Sequence, residues 1–105
     1  MADKIVDYTY LKQSMDDEDL IKSFIKKIEY QIKEYIEKIE RLDKKKYEDI
    51  YGHVHSIKGI AAYCFPHIYK ICTKLCDEMK SKNYDNLLEN LDKLREKYNE
   101  VKNYE

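Results

Sequence analysis

His55 stands three residues before a lysine, Lys58, and lies between Gly52 and Gly59, the only two glycines in the chain. An imidazole is an uncharged nucleophile near neutral pH, and a phosphoryl group on its nitrogen stays reactive enough to be given up again. A hydroxyl ester would hold the same group too firmly. Lys58 adds a flexible ammonium that can offset the negative charge spread over the equatorial oxygens during transfer. Reversible phosphoryl transfer, with His55 as acceptor, is the chemistry these residue types permit.

Turning about 100° per residue, a helix through this segment sends Val54, Ile57 and Ala61 to a core. His55 falls at the edge of that stripe, with Lys58 one turn along on the adjoining side. Gly52, Ser56, Gly59 and Ala62 then form a strip of small residues beside the imidazole. Each interior glycine costs a helix about 1 kcal/mol relative to alanine. The strip therefore predicts the close approach of another protein's surface, which larger side chains would hold off. His53 turns to the opposite side with Ile60, where a histidine is ordinarily a surface residue.

The elements that must position these groups follow from periodicity. Ile21, Phe24, Ile25, Ile28, Ile32, Tyr35, Ile36 and Ile39 recur three and four apart, predicting a long helix that Asp16 or Asp17 caps. Asp43 is expected to cap a second helix, which carries Tyr47, Ile50, Val54, Ile57 and Ala61. Pro66 suits a first turn and disfavours helical geometry at Phe65, so a third helix starts there. Ile68, Ile71, Cys72, Leu75 and Met79 form its apolar face, and Ser81, Lys82 and Asn83 end it. A fourth stripe runs through Leu87, Leu88, Leu91, Leu94, Tyr98 and Val101. Short connections make successive helices antiparallel, predicting an all-α, up-down four-helix bundle over residues 1–105, with a short extra helix near residues 8–14 covering one end.

Composition narrows the function classes. Twenty basic and 21 acidic residues leave a net charge of −1, which disfavours nucleic acid as a partner. No apolar run approaches the roughly 20 residues of a membrane span, and residues 1–7 lack the apolar centre of a signal peptide, so a cytoplasmic location is expected. Each helix balances its lysines with acids and offers no basic face for a membrane surface. Three cysteines are an odd number, read as small buried thiols. Cys72 and Cys76 have an i, i+4 spacing but no second ligand pair, so no metal is expected. The eleven tyrosines are read as residues straddling the core boundary, without chemistry.

The run His55, Ser56, Ile57, Lys58, Gly59 resembles the H-x-[LI]-K-G signature of histidine phosphotransfer domains, including those that form the first domain of chemotaxis kinases. The similarity extends over nearly the whole chain, through an acidic helix start, Phe24, Asp43, Val54, Cys72, Leu75 and residues 83–85. Phe65 departs from it, standing where the family often has glycine, and Ile60 and Tyr63 replace smaller or polar residues.

The resemblance implies a phosphorelay module whose partners are receiver domains of response regulators or hybrid histidine kinases. The acceptor is His55, Lys58 stabilises the phosphate charge, and Gly52, Ser56, Gly59 and Ala62 form the docking surface. The module needs no cofactor of its own, since Mg²⁺ comes with the receiver, and it is expected to be a monomer. The family commonly holds its imidazole with a Gln or Glu 22 residues after the acceptor, which counts to Asp77, whereas helical phase favours Cys76. No ATP-binding segment is recognisable, so nucleotide alone should leave His55 unmodified. A bundle that docks a signalling partner without phosphotransfer is the alternative, motivated by Tyr63 and by the unsettled orienting residue.

Overall fold

The structure, a computed structural model, describes residues 4–104. Five helices follow in order: α1 (Thr9–Ser14), α2 (Glu18–Arg41), α3 (Tyr47–Ala61), α4 (Pro66–Lys80) and α5 (Leu87–Tyr104). No strand occurs among the described residues. Helices α2 to α5 form the antiparallel bundle. Each packs on the next, and α2 meets α5 to close the ring, with the α3/α4 interface the most extensive.

Helix α2 starts where Asp17, in extended conformation, accepts the Asp19 backbone N–H at 2.8 Å. Glu18 and Asp19 in its first turn and Lys38 and Arg41 in its last complement the helix dipole. Its buried residues are all isoleucines, Ile21, Ile25, Ile28, Ile32, Ile36 and Ile39. Their spacing of three and four keeps one ridge facing α3 and α5 over roughly 27 Å.

Asp43 does not cap α3. The Lys44 ammonium folds back onto the last carbonyls of α2, including Ile39 O at 2.9 Å, and tightens the connector. Asp43 instead accepts from the Lys45 backbone N–H at 2.9 Å, closing a turn ahead of a helix that begins at Tyr47 without a side-chain cap. Pro66 opens α4 as its sequence position predicts, and Phe65 before it is non-helical and buried. At the other end of α4, Lys82 adopts the left-handed conformation with φ 56°. Its own N–H reaches Met79 O at 3.0 Å and the Asn83 N–H reaches Glu78 O at 2.8 Å, a paired closure of the last turn usually built on glycine.

Helix α5 departs from the predicted stripe at its start. Leu88 is 61% exposed, while Asn90 is buried at 1% and reaches Glu78 Oε1 at 3.4 Å. Adjacent Leu87 and Leu88 lie about 100° apart, so the ridge set by Leu94, Tyr98 and Val101 takes only Leu87 inward.

The ring closes at the most lightly packed of its four interfaces, α2 on α5. There the Arg95 guanidinium donates to both oxygens of Glu40, with Nε to Oε2 at 2.8 Å. This bond holds the Glu40 carboxyl below the usual carboxylate range. A carboxyl depressed in the folded state contributes stability above its unfolded pKa and loses it as pH falls through the folded one. Both side chains are partly exposed, so Glu40→Gln should cost under about 1 kcal/mol at pH 7. Urea melts of parent and variant should converge on acidification; a gap that widens in acid would contradict this assignment.

Residues 4–8 and α1 cover one end of the bundle. Val6 and Leu11 are buried there, and the Asp7 N–H donates to Cys64 O at 2.8 Å. Tyr63 is gripped between Tyr10 of α1, 5.5 Å away ring to ring, and Phe24 of α2 at 5.7 Å. No helix among the described residues is long and apolar enough to cross a membrane.

Candidate functional site

Helix α3 owes its orientation to four buried residues, Ile50, Val54, Ile57 and Ala61, all at or near zero exposure. With those turned inward, the rest of the helix surface faces outward, and His55 is exposed on it. Gly52, Gly59 and Ala62 are exposed on the same surface, and Ser56 is half-buried. The sequence-predicted strip is thus assembled in one place.

Two observations bear on why the glycines are there. Neither adopts a positive φ, so no backbone conformation demands them. A Cβ built on either would meet nothing within 4 Å, so no neighbouring element of the chain demands them either. The described structure pays the helix cost of two glycines without any packing return of its own.

The polar groups around the imidazole have distinct assignments. Ser56 returns its hydroxyl to the Gly52 carbonyl at 3.0 Å, an in-helix bond that occupies it locally. Lys58 is half-buried and lays its ammonium over the Tyr69 ring of α4, 5.9 Å from the centroid. No carboxylate among the described residues pairs with it. His53 is half-buried on the other side of the helix, 5.8 Å ring to ring from Tyr35 of α2.

The pairing of α3 with α4 places the two residues considered as imidazole partners. Tyr47 stacks on Tyr84 at 3.7 Å, and Tyr51 borders one groove with Met79 and Lys80. Stepping four residues at a time along this antiparallel pair, helical rise would pair His55 with Cys76. Cys76 is 1% exposed and Asp77 is exposed. Burial pushes the Cys76 thiol above its ordinary range, with the Lys58 ammonium offsetting part of that rise. A protonated thiol is a weak hydrogen-bonding group. Among the described residues neither Cys76 nor Asp77, nor any other side chain, hydrogen-bonds to the His55 imidazole. Cys64 and Cys72 are buried as well, outside any disulfide, and burial raises the Cys72 thiol strongly. No group of three or more His, Cys, Asp or Glu among the described residues is placed to hold a metal ion.

One neighbour of His55 was not singled out by sequence. Tyr51, one turn before it, lies nearly parallel to the imidazole, with centroids 5.9 Å apart and planes 15° apart. The i, i+4 spacing of the two rings was the available signal, hidden among eleven tyrosines.

Comparison of the chain with protein-family models, with curated proteins and with solved structures gives no match. Function has then to be derived from the site itself.

Proposed function

We propose that this chain is a histidine phosphotransfer module, taking a phosphoryl group on His55 from an aspartyl phosphate of one receiver domain and passing it to another. The observation that supports this most is the exposed imidazole on a glycine strip that nothing among the described residues occupies. A flat, open approach matters because the acceptor nitrogen must reach a phosphorus atom seated in another protein's active site.

In the forward step the nitrogen lone pair attacks phosphorus, the N–P bond forms, and the P–O bond to the aspartate breaks. The aspartate carboxylate leaves with that electron pair, and the positive charge left on the ring is relieved by loss of the other nitrogen's proton to water. The second receiver's carboxylate reverses the sequence, and the imidazole is the leaving group. Lys58 needs only to rotate its flexible stem off Tyr69 to set its ammonium beside the transferred oxygens. The Mg²⁺ that receivers use stays with the receiver.

Docking without transfer is the second reading, favoured by the lack of a hydrogen bond to the imidazole among the described residues. The two separate when the protein is mixed with a panel of purified receiver domains charged by acetyl phosphate and Mg²⁺. Transfer predicts that at least one receiver loses its phosphoryl group to the chain. Binding to a receiver that keeps its label would establish docking alone.

A further inference from the structure

We infer that Tyr51 is a positioning residue for the His55 imidazole, taking by ring stacking the task that a hydrogen-bond acceptor would otherwise perform. The inference rests on the transfer reading above and adds to it the group that holds the nucleophile.

Tyr51 is itself well held. It is half-buried in a groove of about 280 Å³ between α3 and α4, bordered by Tyr47, Met79, Lys80 and Tyr84. Tyr47, one turn earlier, is pinned face to face on Tyr84, with planes only 6° apart. The three aromatic residues Tyr47, Tyr51 and His55 therefore climb α3 at successive turns, from a fixed stack at the bottom to the exposed imidazole at the top. Their phase leaves His55 leaning on a half-buried ring.

The geometry suits that role. Centroids 5.9 Å apart with planes 15° apart fall in the offset-stacked range for aromatic pairs. An exposed histidine rotates freely about two side-chain bonds, and only some orientations point a ring nitrogen outward along the strip. Stacking on Tyr51 selects among them before a donor arrives, which is how a nucleophile gains rate without new chemistry. No other described residue is in ring contact with His55, and none hydrogen-bonds to it. The phenol hydroxyl plays no part, so phenylalanine should serve equally.

Phosphoramidate tests this directly, because a small phosphoryl donor has no surface to dock and its rate reports on the imidazole alone. In the full chain, Tyr51→Leu should slow His55 phosphorylation by about two- to tenfold, the range that loss of one aromatic pair implies. Tyr51→Phe should stay within about twofold of the parent. The imidazole proton resonances of His55 should shift in the leucine variant, which lacks the ring current, and stay near the parent's in the phenylalanine variant. Equal or faster labelling of the leucine variant would overturn the inference, as would unmoved His55 resonances or an inert parent. Failure of every receiver to transfer, with the phosphoramidate result as expected, would instead sink the relay and leave the effect of Tyr51 on the imidazole standing.

Discussion

Replacing His55 with glutamine should abolish phosphoryl acceptance, from phosphoramidate and from charged receivers alike, and leave the fold unchanged. The side chain is exposed and makes no hydrogen bond among the described residues, so nothing in the bundle depends on it. Surface substitutions of that kind usually move stability by no more than about 0.5 kcal/mol. Loss of label should be complete, since Ser56 is engaged by the Gly52 carbonyl and His53 packs against Tyr35 on the far side of the helix. Quantitative mass spectrometry on samples kept alkaline, where the acid-labile N–P bond survives, checks the loss, and thermal melting checks the fold. Residual label on another residue would transfer the acceptor role to it.

The glycine strip should separate stability from function in opposite directions. Gly52 and Gly59 have ordinary helical backbones and open space where a side chain would go. Alanine at both positions should therefore stabilise the protein by about 1–2 kcal/mol. For a domain of this size each kcal/mol raises the melting temperature by roughly 4–8 °C. Gly59→Phe fills the same space with a ring that stands off an incoming protein. A displacement on the order of 1 Å at the reacting atoms can cost about 100-fold, and transfer from a receiver should fall by that order. Phosphoramidate, which needs no docking surface, should label the phenylalanine variant at close to the parent rate. Receiver transfer that survives Gly59→Phe would mean the partner approaches from elsewhere.

Much of the fold was legible because α2 to α4 bury strictly periodic residues. The isoleucines of α2 and the set Ile50, Val54, Ile57 and Ala61 of α3 read as single stripes in the sequence and are single buried ridges in the structure. Illegibility began where two local signals competed. Asp43 has the right type for a helix cap, but the pull of the α2 carbonyls on Lys44 shifts the helix start to Tyr47. Leu87 and Leu88 are equal in hydropathy, and only the tertiary neighbours of α5 decide that Leu87 turns in and Asn90 is buried in its company.

The site divides the same way. Exposure of His55 and clustering of Gly52, Gly59 and Ala62 follow from helical phase within one element, so sequence alone places them. What lies across from the imidazole depends on the axial register of α3 against α4, which the turn before Pro66 sets. The choice between Cys76 and Asp77 could not be made from spacing; in the structure Cys76 is buried and Asp77 exposed. Tyr51 went unread for a different reason: an aromatic residue one turn from a histidine looks like any boundary tyrosine until the two ring planes are known.

The most direct measurement is where the phosphoryl group resides after the protein, labelled with ¹⁵N in its histidines, meets a charged receiver. Phosphorus NMR should show a single phosphoramidate resonance coupled to a ring nitrogen, and fragmentation should place it on residue 55. A phosphoryl group found on any other side chain, or a receiver that binds the chain and discharges only to water, would contradict the account.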